Sequence, residues 1–176
     1  MRYARFAVLM TLVLAAAVWA QSRSTLGFNI DYAYRTAGDP TIPSKMGVGM
    51  GVTGKLATPI PLLTFTLGGR YLFFPESNQV TATGNVALNS YDLWTPFLGI
   101  QLGKYKGPYL LVAETGEFRD KGTRFGLDAG VGYMVWNDEG KAKVDFSLKY
   151  ALNNLMGKDP DEATRSYLLF GMGLAF

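Results

Sequence analysis

The sequence predicts an all-β fold, an eight-stranded antiparallel up-and-down transmembrane β-barrel, and three observations lead to it. Long segments alternate large apolar residues with glycine or polar residues, which is the period of a β-strand with two different faces. No apolar run after residue 20 approaches the ~20 residues that a membrane helix needs. The segments that connect the predicted strands are alternately long and short, as in barrels whose termini share one side of a membrane.

The first twenty residues have the features of a secretory signal peptide. Arg2 and Arg5 form a basic start, residues 6–18 are apolar, and residues 18–20 have a small-x-small cleavage pattern. About thirteen apolar residues are too few to span a bilayer. We therefore predict a signal peptide over 1–20 and a single β-barrel domain over 21–176.

The composition of the remaining chain excludes several classes of function. Of 17 Lys and Arg residues, the loss of Arg2 and Arg5 leaves 15 against 14 acidic residues, a net charge of +1. This balance and the lack of a basic cluster argue against nucleic acid as a partner. Without cysteine there are no disulfides, and without histidine the commonest general base and metal ligand is missing.

The alternation defines eight strands of unequal clarity. It is cleanest over 25–35 and 124–136, and weakest over 109–118, where the residues from 109 to 113 do not alternate. Pro96 predicts a bulge in the fourth strand, because proline cannot donate to the ladder. The predicted strands are 25–35, 46–56, 62–73, 91–103, 109–118, 124–136, 141–152 and 167–176.

The connections between these strands have a regular rhythm. The predicted long ones are 36–45, 75–90, 117–122 and 153–164. The predicted short ones are 58–61, 104–107 and 137–140. Short turns on the side of the termini and longer loops on the other side are typical of outer-membrane barrels.

A soluble barrel of the lipocalin type has an apolar interior and a polar exterior, and the predicted strands have the reverse arrangement. One face is aromatic and aliphatic, and in water it would form a very large exposed apolar patch. The opposite face carries charges of both signs, which can pair in a narrow lumen. The predicted lumen charge network consists of Asp31, Arg35, Lys55, Arg70, Asp128, Asp145 and Lys149.

Aromatic residues fall toward both ends of the predicted strands, where the interfacial girdles of a membrane barrel belong. Those toward the long loops are Tyr32, Tyr34, Tyr71, Phe73, Trp94 and Tyr150. Those toward the short turns are Tyr109, Trp136 and Phe176. Since strands favour aromatic residues in general, ordinary strand composition is the alternative interpretation.

The chain ends on a strand with an alternating apolar face, formed by Phe170, Met172, Leu174 and the terminal Phe176. With this strand, the pattern over 25–176 resembles the small eight-stranded outer-membrane β-barrel proteins of the OmpA/OmpX/OmpW type. The four residues are similar to the family's assembly signal, although the family often has an aromatic residue in place of Leu174. The resemblance implies an outer-membrane location, with lipid, periplasmic chaperones and the barrel assembly machinery as partners.

Three classes of function remain open for such a barrel. As the resemblance implies, enzymes of this architecture depend on histidine for catalysis, and this chain has no histidine. We therefore predict no enzyme, no catalytic residues, no cofactor and no metal site. Acids such as Glu114 and Glu117 are interpreted as solvated loop charges. We predict a monomeric structural or surface-binding barrel with a polar, side-chain-filled lumen, and loop 75–90 is the best candidate for contacts. The alternative is a narrow porin or transporter of small solutes, including hydrophobic ones as resemblance to the OmpW group implies.

Overall fold

The computed structural model describes residues 24–37, 44–75, 77–81, 84–88, 90–103, 107–119, 122–136, 143–157 and 163–176. The predicted signal peptide and the predicted turn 137–140 lie outside these residues. The strands are β1 (Thr25–Ala37), β2 (Met46–Ala57), β3 (Leu63–Phe74), β4 (Ser77–Thr81), β5 (Gly84–Leu88), β6 (Tyr91–Gly103), β7 (Gly107–Arg119), β8 (Gly122–Trp136), β9 (Lys143–Met156) and β10 (Arg165–Ala175). In the described ranges, no helix is long and apolar enough to cross a membrane.

Eight of the strands form one closed antiparallel barrel, in the order β1-β10-β9-β8-β7-β6-β3-β2. Apart from the inserted β4 and β5, neighbours in the barrel are neighbours in sequence, which is the up-and-down connection. The barrel closes between β1 and β10, where Gly27 pairs with Ala175 and Arg35 with Tyr167. The predicted fold class is thus confirmed, and closure leaves no free sheet edge along this pair.

The strands are strongly tilted. A path along the Cα partners that leaves β1 at Leu26 passes Gly54 on β2 and Glu114 on β7, and it returns to β1 at Ala37. A stagger of this size is the geometry that lets eight strands enclose a lumen just wide enough for side chains.

Two details of the wall differ from the prediction. The expected bulge at Pro96 is wrong, because the register between β3 and β6 runs unbroken through Gly69 and Pro96. The register shifts lie instead at Arg35/Ala37 and at Phe125/Leu127. Proline is accommodated without a bulge because the pairing of β6 with β7 begins only at Phe97.

Two of the predicted long connections also differ. Most of segment 117–122 belongs to strands, because β7 continues to Arg119 and pairs there with Gly122 of β8. Segment 75–90 contains a hairpin of its own, in which β4 pairs with β5 from Ser77↔Leu88 to Thr81↔Gly84. The composition of this segment concealed the hairpin, since asparagine and glycine are depleted in strands.

The two faces of the wall have opposite chemistry. The outer face is apolar, with Ile30 65% exposed and Met50 66% exposed. The inner face holds the buried charges together with one compact group of apolar side chains. In a water-soluble protein this arrangement would expose the apolar surface and bury charge, both at high cost.

Candidate functional site: the barrel lumen

The lumen is filled in layers, and the first lies toward the short turns. Lys55 Nζ donates to Asp145 Oδ2 at 2.6 Å, and the Tyr109 hydroxyl donates to Asp145 Oδ1 at 2.7 Å. Lys55 Nζ also lies 4.6 Å from the centroid of the Tyr109 ring. The placement of Tyr109 in the outer girdle was therefore wrong, because this side chain points inward and is only 5% exposed.

The second layer lies near mid-height and contains two ion pairs. Arg70 Nη1 donates to Asp128 Oδ2 at 2.8 Å, across the inside of β6 and β7. Lys149 Nζ lies 3.3 Å from Asp31 Oδ1, and Asn29 Nδ2 donates to Asp31 Oδ2 at 2.7 Å. Each charge faces an opposite one, which is the condition under which charge can be buried.

The third layer, which we call the apolar layer, lies above the ion pairs toward the long loops. On β3 it follows Arg70 with Leu72 and Phe74, and on β10 it includes Tyr167, whose ring centroid is 5.4 Å from that of Phe74. Its members are Ala33, Leu72, Phe74, Leu93, Ala151, Tyr167 and Leu169. These side chains are almost fully buried and pack against one another inside the barrel at this height.

The fourth layer lies at the long-loop end and is polar again. Arg165 Nη1 lies 3.6 Å from Glu117 Oε1 and donates a hydrogen bond to the Tyr91 hydroxyl. The interpretation of Glu117 as a solvated loop charge was therefore wrong. The signal that could have found it is the spacing along β7, where positions 109, 111, 113 and 115 point inward and 117 continues the series.

Six of the seven residues of the predicted lumen network lie in the first two layers, where they form three ion pairs. The seventh, Arg35, is half-buried at the upper end of β1, above Ala33. Sequence reasoning did not find the buried cations Arg124, Lys143 and Arg165, which lie close to strand ends. A strand-end charge has no flanking alternation to show which face it occupies.

A small polar cavity of about 50 Å³ lies between the first two layers. Its lining includes Asn29, Thr53, Gln101 and Ser147. Gly171 leaves room for the Ser147 hydroxyl, because a Cβ at position 171 would lie only 2.5 Å from it. A cavity of this size and polarity has room for a few water molecules, but not for a continuous aqueous pore.

The described residues contain no group of three or more Asp, Glu, His or Cys side chains placed to hold a metal ion. Acidic side chains in the lumen form ion pairs with cations, as Asp128 does with Arg70 and Asp145 with Lys55.

The outer wall carries an apolar belt, and the terminal strand contributes to it. Phe170, Met172, Leu174 and Phe176 all point outward and are about half exposed. Phe176 is held by backbone hydrogen bonds with Leu26 in both directions, at 2.9 and 3.2 Å. Tyr32, Tyr34, Phe73, Trp94 and Tyr150 are also exposed on the wall, while the side chain of Trp136 lies outside the described residues.

Comparison with known proteins gave structural but not sequence similarity. No family model matches the chain, and no curated protein is similar to it in sequence. A de novo designed transmembrane β-barrel is 13% identical, with 86% of this chain and 95% of the designed one covered and a TM-score of 0.49. Ail, the attachment invasion locus protein of Yersinia pestis in complex with the heparin analogue sucrose octasulfate, is also 13% identical; the match covers 87% and 97% of the two chains, with a TM-score of 0.49. Similarity of this degree transfers no ligand and no role to this chain.

The class of protein therefore follows from the fold and the two faces of the wall. A closed eight-stranded barrel with an apolar exterior and paired charges inside is a small transmembrane β-barrel.

Proposed function

We propose that the mature chain is a monomeric, integral barrel of the bacterial outer membrane with a structural or surface-binding role and a closed lumen. The observation that carries the proposal is the layered filling of the lumen. The apolar layer lies between two polar layers, so ions that enter from either end meet buried side chains such as Leu72 and Phe74. A barrel closed in this way serves as a platform for its loops rather than as a conduit.

The outer-membrane location is supported by the apolar belt on the outer wall and by the signal-peptide features of residues 1–20. Barrels of this kind insert through periplasmic chaperones and the barrel assembly machinery, and we propose both as partners during biogenesis. The outward apolar residues of β10, which end in Phe176, are the segment that would be recognised. Outer-membrane lipid is then the permanent partner of the belt, and we propose no nucleic acid, cofactor or catalytic role.

Heat-modifiable gel mobility tests the location and the fold together. We expect the protein in outer-membrane fractions to migrate faster unboiled than boiled, because a folded barrel resists detergent at room temperature. A protein that fractionates as soluble and migrates identically in both samples contradicts the proposal.

Conductance in a planar bilayer tests the closed lumen. We expect no steady open steps from the wild-type barrel, and brief steps from a Leu72→Ala/Phe74→Ala variant whose apolar layer has been reduced. An Ile30→Ala/Met50→Ala variant is the control, because both residues are outward and truncation leaves the lumen unchanged. Steady wild-type conductance contradicts the closed lumen.

One observation favours the alternative function, a narrow porin or transporter of small solutes. The polar cavity in the lower half shows that the lumen is not uniformly packed. Under this alternative the apolar layer is a gate and not a plug. Solute-dependent swelling of vesicles that contain the wild-type barrel, with no such swelling for empty vesicles, would favour transport.

A further inference from the structure

One acidic residue lies on the outer wall of the barrel near its middle height. The path along the Cα partners from Leu26, at the lower end of β1, to Ala37, at its upper end, takes eight steps, and the fourth step reaches Glu114. Because the strands are tilted, each step rises by a similar height, so Glu114 lies about halfway up the wall. The other residues of this row are all uncharged: Leu26, Gly54, Leu67, Leu98, Leu127, Leu152, Ser166 and Ala37.

Glu114 points outward among apolar side chains. It is exposed, and its register partners Leu98 and Leu127 are 42% and 38% exposed on the same wall. The interpretation of Glu114 as a solvated loop charge was therefore wrong, because the residue lies inside β7 (Gly107–Arg119). A carboxylate among lipid-facing residues is costly, and in a membrane protein it indicates a functional site.

This carboxylate has no counterion in the described part of the chain. Glu114 takes part in no ion pair among the described residues, whereas the lumen acids Asp128 and Asp145 are both paired. The surrounding lipid supplies no cation either, because head groups lie at the two interfaces and only hydrocarbon lies at middle height. The partner that an intramembrane charge requires must then come from another molecule.

The wall beside Glu114 has room for such a molecule. The next outward residue on β7 is Gly116, and a Cβ added there would contact only Pro96 Cγ, at 3.7 Å. The register partner of Gly116 on β8 is Phe125, whose side chain is 40% exposed. An acceptor of charge-assisted hydrogen bonds, an aromatic ring and an open glycine are thus neighbours on the outer wall. Carboxylates and aromatic rings are the groups with which proteins bind ammonium ions.

We propose that Glu114, Gly116 and Phe125 form a binding site for a lipophilic ammonium ion that enters from the hydrocarbon region of the membrane. The ammonium group pairs with the Glu114 carboxylate beside the Phe125 ring, and the alkyl chain lies over Gly116 against Pro96. The attraction between opposite charges is strongest in a medium of low dielectric constant, so a cation is favoured over a neutral amphiphile of the same length. The site rests on the proposed membrane location, but not on whether the lumen conducts.

Photo-crosslinking with a dodecylamine that carries a diazirine in its alkyl chain tests the site. The full mature barrel is refolded into phosphatidylcholine vesicles, which have no net charge, and each sample is first shown to be folded by heat-modifiable mobility. We expect adducts concentrated on residues 94–98, 112–116 and 123–127, and unlabelled dodecylamine should displace them. Adducts spread evenly around the wall of a folded barrel overturn the site without affecting the proposed location.

The role of the carboxylate is tested by displacement. Glu114→Gln removes the charge at nearly constant volume and should raise the apparent dissociation constant of dodecylamine at least about tenfold. Asp92→Asn is the matched control, because Asp92 is also an exposed acid of the outer wall, at the upper end of β6, and we expect this variant to bind like the wild type. An unchanged constant in Glu114→Gln overturns the proposal.

The open space at Gly116 is tested by filling it. Gly116→Val should reduce the adducts at least about tenfold, because the added side chain occupies the place of the alkyl chain. The control is Gly54→Val, since Gly54 belongs to the same row as Glu114 and its added Cβ would come no closer than 3.7 Å to another atom. Equal labelling of the two folded variants overturns the placement of the chain.

A neutral competitor tests the class of ligand. Dodecanol has the same chain length as dodecylamine and no charge, and it should displace the adducts at least about tenfold more weakly. In Glu114→Gln this difference should disappear. Equal competition by the two compounds in the wild type overturns the assignment of the ligand as a cation.

Discussion

Arg70 and Asp128 form a deeply buried ion pair, and removing one partner should destabilise the barrel more than replacing both partners with apolar residues. Their side chains are 2% and 3% exposed, and Arg70 Nη1 lies 2.8 Å from Asp128 Oδ2. At an effective dielectric constant of 20, this separation corresponds to roughly 6 kcal/mol of gross attraction. Desolvation of both ions offsets much of it, so the pair has a small net value, whereas one unpaired partner has a large cost.

We expect Arg70→Met and Asp128→Leu each to lower the free energy of unfolding by about 3–5 kcal/mol, because each leaves one buried charge unpaired. The double variant Arg70→Met/Asp128→Leu should lie within about 1–2 kcal/mol of the wild type, since no uncompensated charge remains. Reversible urea unfolding of the refolded barrel in vesicles, followed by tryptophan fluorescence, measures all four proteins.

The control for this cycle is Asp92→Leu, which removes an acid that is exposed on the outer side of β6. Its effect should stay within about 0.5 kcal/mol. If the two single effects simply add in the double variant, the residues are not coupled, and the account of the lumen as a set of mutually neutralising pairs is wrong.

The remaining predictions concern one residue each. Gly171→Ala should destabilise the barrel by about 1–3 kcal/mol in the same assay, since its Cβ would lie 2.5 Å from the Ser147 hydroxyl and 2.6 Å from Asp31 Oδ1; Gly54→Ala, with ordinary contacts only, should be nearly neutral. Tyr109→Phe should cost about 1–3 kcal/mol by leaving Asp145 Oδ1 without its buried donor; the outward Tyr133→Phe is the control, and equal effects would contradict the inward role. Phe176→Ala should lower the amount of barrel recovered from outer membranes several-fold while changing the unfolding free energy in vitro by less than about 1 kcal/mol. Phe146→Ala is the control, because it removes a similar apolar area from the outer wall. An equal loss of recovery in both variants would show that Phe176 is not part of the assembly signal.

The fold could be predicted from the sequence because the chemistry of the two faces alternates without interruption in most strands. In β1, outward Phe28, Ile30 and Tyr32 alternate with inward Asn29 and Asp31, and a slip of one residue would exchange lipid-facing and lumen-facing side chains. The register is thus fixed on both faces, because a slip would place charges in lipid and large apolar side chains in the lumen. The same reasoning failed near the ends of strands, where Glu117 and Arg165 were assigned to loops although both lie on strands and point inward.

The apolar layer could not be predicted for a different reason. Leu72, Phe74 and Leu93 occupy inward positions, but apolar residues on both faces of a strand weaken the alternating pattern that assigns a face. Only the closed barrel shows that these side chains converge at one height above the ion pairs. Similarly, the residue at which the pairing of β6 with β7 begins, Phe97, could not be deduced from Pro96, because a proline in a strand is equally consistent with a bulge.

The inner glycines and the long inner charges are two parts of one packing arrangement. A Cβ on Gly51 would lie 2.9 Å from Asn29 Oδ1, and one on Gly171 would lie 2.6 Å from Asp31 Oδ1. Eight strands leave little interior space, so a polar side chain can extend sideways into the lumen where the neighbouring strand has no side chain. The glycines of β2 and β10 flank β1 on both sides, so Asn29 and Asp31 extend into the space that these glycines leave. The small face of the terminal strand is therefore required by the ion pairs as much as its apolar face is required by the membrane.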